Sequence, residues 1–360
     1  MNLLAKSKLP GYLERIAIAL VFGLLQLLIP GQSSAENKPK VPLKVCATVP
    51  DLGDLVSVIG GESVQVTTFV KPTEDPHFIQ AKPSFVKLLS EADLLVLNGL
   101  DLELGWIPVL LQGARNPKIR AGEPGYLDAS EVVAPLEVAE QIADRSHGDV
   151  HPRGNPHYLV DPVNGLRVAR FLSKRLSELL PENKDEFALR LNQFESELSI
   201  LLIGRELTGK YDLEKLMTLA ELGKLKEFLE SQGELAKYNG ILRPLLDIRG
   251  TKVVADHNLW PYFAKRIGFE FLGFLEPKPG IPPTTKHLKS VIESMRLSGV
   301  RVILANPYYD SKHAEFVAGA TDGKIAQMAH QVGSRPGINS YLSLCRYNIV
   351  ELSKALGIAQ

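Results

Sequence analysis

The chain has 360 residues, with 41 Lys and Arg balanced by 41 Asp and Glu, so its formal charge is zero. No basic block or aromatic-basic stripe appears along it, which argues against nucleic acid as a partner. Once an N-terminal leader is set aside, the length suffices for two domains of ordinary size.

The first 35 residues read as a secretory signal: Lys6, Lys8 and Arg15 flank an apolar run from Ile16 to Ile29, and Ser33-Ser34-Ala35 follows with small residues. That run is short of the ~20 residues a transmembrane helix needs, although an uncleaved anchor is the alternative. No cysteine follows it, which argues against a lipoprotein anchor. The remainder carries a formal charge of −2, because the leader holds three basic groups and one acidic group. The mature chain is expected in the periplasm.

Residues 43–49 read as a buried strand containing Cys46, 51–59 as a helix stopped by Gly60-Gly61, and 64–70 as a β-branched strand. A helix at 83–92 and a strand at 93–97 follow. Short apolar strands alternating with helices imply a parallel sheet covered on both faces. From Asp161 to about Leu202 apolar residues recur at helical spacing, interrupted by Pro181, which should kink or split the helix. Residues 204–250 are charge-rich and helical, either a coiled-coil-like arm or an amphipathic insertion packed on the body. A second α/β set spans strands at 252–255, 270–275 and 300–305, helices at 260–267, 285–297 and 310–321, and an extended stretch near Ile325. The terminal helix at 339–356 contains Cys345. Cys46 and Cys345 could pair in an oxidising compartment or stay as buried free thiols.

The expected fold class is α/β, with two lobes, each on a mostly parallel sheet, bridged by a long helix. The expected division is 1–35 signal peptide, 36–160 N-terminal metal-binding lobe, 161–203 bridging helix, 204–249 helical insertion and 250–360 C-terminal metal-binding lobe.

Three histidines stand at loop mouths: His77 in Glu74-Asp75-Pro76-His77, His157 in Gly154-Asn155-Pro156-His157-Tyr158, and His257 after Val253-Val254-Ala255-Asp256. In parallel sheets ligands bind outside the carboxyl ends of the strands, where such loops gather. Neutral imidazoles brought to one point hold a transition metal. Three unrelated surface or capping histidines are the plainer alternative.

The flanking sequence narrows the choice. Asp75-Pro76-His77, then Ala92-Asp93-Leu94 with Asn98-Gly99-Leu100 and Glu103, then Pro156-His157 with Asp161-Pro162, occur in that order. They are followed by Asp256-His257 with Trp260 and Tyr262-Phe263, and by the run from Glu276 to Pro283. In these pieces, over nearly all of 43–358, the chain resembles the metal-specific solute-binding proteins of ABC importers that capture zinc or manganese. The resemblance implies two α/β lobes joined by a long helix with the metal between them. It also implies that His77, His157 and His257 are the first three ligands. The family's fourth ligand is usually an Asp, but residues 326–333 hold no carboxylate, so His330 or a water takes that place. His147 and His151 resemble the stub of a histidine-rich loop that some relatives carry, either a weak secondary metal site or, more simply, solvated loop residues.

Imidazole suits zinc, whereas manganese prefers oxygen donors, so Zn2+ is the expected cargo and Mn2+ the lesser candidate. Asp256 and Asp161 are candidates to orient the imidazoles, and Asp161 before Pro162 also reads as a helix N-cap. The expected partners are a divalent metal ion and an ABC importer permease, with no nucleic acid and a monomeric state. An extracytoplasmic zinc hydrolase is the competing class, but no HExxH motif supplies a general base. A metal buffer or adhesin on the same fold is the third.

Overall fold

The computed structural model describes residues 41–138, 151–278 and 280–358. The expected signal segment and His147 lie outside these residues.

Two four-stranded sheets, each wholly parallel, form the frame. The first comprises β1 (Leu43–Ala47), β2 (Val64–Thr68), β3 (Leu94–Leu97) and β4 (Tyr126–Asp128), in the order β2-β1-β3-β4. The second comprises β5 (Lys252–Ala255), β6 (Glu270–Phe274), β7 (Val302–Ala305) and β8 (Lys324–Gln327), in the order β6-β5-β7-β8. Every residue of β3 (LLVL) and of β7 (VILA) is buried, as a strand covered on both faces requires. The two sheets share one topology, in which the order reverses beside the first strand. Each therefore has a switch point, between β1 and β3 and between β5 and β7, where ligands bind in open α/β sheets.

The first sheet is covered by α1 (Pro50–Gly60), α2 (Pro83–Glu91) and α3 (Ile107–Ala114). The long helical stretch is two helices, α4 (Pro162–Leu179) and α5 (Lys184–Ile203). A 3-10 turn at Pro181–Asn183 parts them, so the proline splits the helix rather than bending it. In the insertion, α6 (Leu213–Glu221) and α7 (Leu225–Ser231) bury Leu213, Leu216, Met217, Leu225 and Leu229 in the main core. It is thus packed on the body and is not a free arm. The second sheet carries α8 (Pro261–Ile267), α9 (Thr285–Ser298) and α10 (Ser311–Thr321), and α11 (Tyr341–Leu356) closes the chain. One core cluster runs through the first lobe, α4 and α5, the insertion and the near face of the second sheet. A smaller one lies under α9 and α10 on its far face.

Two glycines are required by close approach. Gly99, after β3, has φ 79°, and a Cβ there would lie 1.9 Å from an Asp128 oxygen. At Gly165 a Cβ would meet the Tyr341 hydroxyl at 2.1 Å, so its absence lets α11 dock on α4. That hydroxyl then donates to the Leu159 carbonyl at 2.6 Å, two residues past His157.

Cys46 and Cys345 are both free and buried, so the pairing that an oxidising compartment permits is not made. No helix among the described residues is long and apolar enough to cross a membrane.

Candidate metal centre

The switch point of the first sheet is organised by a buried carboxylate. Glu103 accepts from the Thr48 hydroxyl at 2.6 Å and from the backbone N–H groups of Asn98 at 2.7 Å and Gly99 at 3.1 Å. Burial pushes its carboxyl up to about 7, against the pull of these donors. So fixed, Asn98 donates from Nδ2 to the Pro156 carbonyl at 3.0 Å, immediately before His157. The His157 N–H is taken by Asn155 Oδ1 at 3.0 Å, and the Tyr158 hydroxyl donates to the Asn98 carbonyl at 2.6 Å. From the second lobe, Tyr262 donates to the Asn155 carbonyl at 2.8 Å. His157 is therefore positioned by both lobes.

His77 is the middle residue of a short turn, Pro76–Phe78, capped by Asp75, whose Oδ1 accepts the His77 N–H at 3.0 Å and lies 2.6 Å from its Nδ1. Trp106 Nε1 donates to the Pro76 carbonyl at 3.1 Å and holds that turn. Burial raises the Asp75 carboxyl, but the bonds and charge of His77 outweigh it and hold the group below its ordinary value. His257 follows β5, and its Nδ1 lies 2.5 Å from Glu276 Oε2, past the end of β6. Tyr309 stacks on its ring, with centroids 5.3 Å apart. His330 follows β8, with its Nδ1 2.7 Å from the Tyr308 hydroxyl.

The four rings gather around His157. Its centroid is 4.8 Å from that of His330, 5.2 Å from His77 and 6.2 Å from His257. All four histidines singled out in the sequence are thus neighbours, although they arise from four loops on two sheets. With Nδ1–H committed to a carboxylate in His77 and His257, Nε2 is the nitrogen each leaves for a metal. His330 Nε2 is buried and has no hydrogen-bond partner among the described residues. Burial, and then the neighbouring imidazoles, hold His157 well below the ordinary histidine value, and burial brings His330 down to about 3. Both stay neutral at physiological pH, the form that ligates a cation.

His151 departs from the expected solvated role. Its Nε2 lies 3.1 Å from His77 Nε2. Since His77 Nδ1 faces Asp75, the His151 N–H is the donor and His77 the acceptor, so His151 caps the nitrogen that a metal would use. In keeping with this, no three His, Cys, Asp or Glu groups among the described residues are already set to hold an ion.

Two expected orienting carboxylates do other work. Asp161 caps α4 through the Val163 N–H at 3.0 Å and pairs with Arg266 at 2.9 Å. Asp256 accepts the backbone N–H groups of His257 at 2.7 Å and Asn306, so it shapes the loop and does not touch the ring. The carboxylates that do touch the rings are Asp75 and Glu276. Asp75 was visible two residues before His77. Glu276 is 19 residues from His257 and meets it only because β6 pairs with β5.

Two parallel α/β lobes with imidazoles gathered between their switch points define a class, the metal-binding solute-binding proteins of ABC importers. The chain belongs to the family of zinc-uptake complex component A, periplasmic (ZnuA), whose model matches residues 45–202 and 227–355. Among curated relatives, the metal ABC transporter substrate-binding lipoprotein FimA of Streptococcus parasanguinis is 24% identical over 345 residues, covering 94% of this chain and 96% of its own. The manganese ABC transporter substrate-binding lipoprotein PsaA of Streptococcus pneumoniae is likewise 24% identical, with the same coverage. A crystal structure of ZnuA shares the fold at TM-score 0.62 and 23% identity, over 88% of this chain and 99% of that one. A Mn-bound periplasmic metal binding protein from Candidatus Liberibacter asiaticus does so at TM-score 0.61 and 20% identity, over 87% and 99%. The family and these relatives are substrate-binding proteins of transporters and not enzymes, which removes the hydrolase reading.

Proposed function

We propose that this protein captures zinc in the periplasm and delivers it, as a monomer, to the permease of an ABC importer. His77, His157, His257 and His330 are the ligands. The observation that carries the choice of metal is the use made of the carboxylates. Asp75 and Glu276 are the acidic side chains hydrogen-bonded to these rings, and both are committed to imidazole Nδ1 atoms. The donors left are nitrogens, and an all-imidazole set suits zinc, whereas manganese favours oxygen. Four such donors fill a tetrahedral zinc shell and leave no open position for water chemistry, which suits holding and release. PsaA of Streptococcus pneumoniae is named for manganese, so relatives of this chain differ in the ion they are named for.

The deciding experiment is metal analysis of mature protein exposed to equimolar zinc and manganese, followed by desalting. One zinc per chain, lost in His157→Ala, is expected. Retention of manganese in preference to zinc overturns the proposal. So does a zinc content that His157→Ala leaves unchanged.

A further inference from the structure

Three of the four imidazoles have Nδ1 matched to a protein group: Asp75 for His77, Glu276 for His257 and the Tyr308 hydroxyl for His330. His157 is the exception, since its Nδ1 is buried with no hydrogen-bond partner among the described residues. A ligating imidazole ordinarily has its second nitrogen held, because that fixes its tautomer and orientation. A complementary atom lies nearby. Gln331 is 1% exposed, its Nε2 donates to the Glu74 carbonyl at 3.3 Å, and its Oε1 is buried and accepts from nothing.

His157 and Gln331 line one void of about 10 Å3, together with Asp51, Asn98 and the apolar side chains of Leu102 and Leu159. About 10–15 Å3 open to its centre is what one buried water needs, along with two to four polar partners. The void is not the meeting point of the rings, for its walls comprise His157 and His330 without His77 or His257. Asp51 of α1 is among its walls. Asp51, on α1, has one oxygen engaged by the Val332 N–H at 2.8 Å.

We infer that a single water is bound in this void, accepting from His157 Nδ1–H and donating to Gln331 Oε1 and to the Asp51 carboxylate, and that Gln331 is thereby a positioning residue for His157. The arrangement satisfies a lone donor and a lone acceptor at once, and it leaves His157 Nε2 for the ion. It gives segment 330–332 three consecutive tasks: a ring for the centre, an acceptor for the water and an N–H for Asp51. The effect on metal rests on the zinc reading above, whereas the hydrogen bond itself does not.

The test begins with metal-free, 15N-labelled wild type, using long-range imidazole correlations with His157 assigned by His157→Gln. The Nδ1–H tautomer is expected, with magnetisation transfer between that proton and water. An Nε2–H tautomer, or an Nδ1–H with no transfer to water, overturns the inference without any variant having to fold. Gln331→Met keeps the length and removes the acceptor. It should mix the His157 tautomers, leave the His330 ring signals in place and weaken zinc binding about 10–100-fold. Weakened zinc binding with the His157 tautomer intact would mean that Gln331 acts through His330, and overturns its assignment. Unchanged affinity and tautomer do the same. A wild type that binds no zinc yet shows the water-coupled Nδ1–H sinks the metal reading and supports the water.

Discussion

His77 and His257 each turn an imidazole against a carboxylate, whereas His157 and His330 are buried without one. The first pair is oriented by charge-assisted hydrogen bonds, which are short and strong. The second pair is kept neutral chiefly by desolvation, which with the neighbouring imidazoles brings His330 to about 3. The difference teaches that one site meets two requirements with separate residues. Asp75 and Glu276 fix the ring orientation of the first pair, as a carboxylate does for a ligating imidazole. Unbacked, buried imidazoles resist protons that would otherwise compete with the ion.

Removing a ring from either pair should have the largest effect. His77→Ala, His157→Ala, His257→Ala and His330→Ala are each expected to weaken zinc binding by more than the ~10–100-fold that loss of an orienting group costs. Competition titration against a chelating dye measures this. Wild-type affinity in His330→Ala would reduce the comparison to three rings and a water.

Next come the orienting carboxylates. Asp75→Asn and Glu276→Gln should cost about 10–100-fold in zinc affinity while leaving the apo melting temperature nearly unchanged. If both bind zinc as the wild type does, the two pairs are alike and the distinction fails. Tyr308→Phe removes the neutral partner of His330, so its loss should be smaller, roughly tenfold or less, in line with ~0.5–1.5 kcal/mol for a neutral hydrogen bond. A larger loss than in Glu276→Gln would invert the order.

A different readout, apo stability against pH, tests the second pair. His330 titrates near 6.5 when unfolded and at about 3 when folded, so the unfolded chain binds the extra proton. Its neutral burial thus contributes stability that is present above about 6.5 and is lost as pH falls toward 3. Urea midpoints of apo wild type should drop more steeply from pH 7 to 4.5 than those of His330→Leu. Burial raises Asp51, Glu103 and Asp256 to about 7, which acts in the opposite sense, but these groups are common to both proteins and cancel in the difference. Parallel curves would show that His330 is not held neutral.

Much of this was legible in the chain. Strands such as Leu94–Leu97 and Val302–Ala305 are unbroken apolar runs, and Gly or Pro marks most helix ends nearby. The helix Ile107–Ala114 and the strand Tyr126–Asp128 escaped the sequence reading. The first opens after a strained turn at Leu100 and Asp101, both with positive φ. The second is three residues long and exists because β3 pairs with it. That His77, His157 and His257 are neighbours was suggested by Pro76 and Pro156 before the first two and by Asp75, Asp161 and Asp256 nearby. His330 was singled out only by its place in the chain, and its ring lies 4.8 Å from that of His157. Glu276, Tyr308 and Gln331 were not foreseen as partners of the site, because each acts across a distance that only the folded sheets close. His151 was misread because a loop histidine next to polar residues looks solvated, and nothing local tells that His77 lies 3.1 Å away.

Arg266 on α8 carries a further consequence. Its guanidinium donates to Asp161 at the head of α4, and to the Met217 carbonyl and the Glu221 carboxylate of α6. Two of these three acceptor residues belong to 203–226, the stretch the family model leaves unmatched. Deleting 203–226 would leave a buried cation short of acceptors, 10 residues beyond Asp256 and at the foot of the segment that bears His157. Met217 and Glu221 thus brace the buried Arg266–Asp161 pair, and a version without them leaves the Asp161 carboxylate as the one remaining partner of that guanidinium among the described residues.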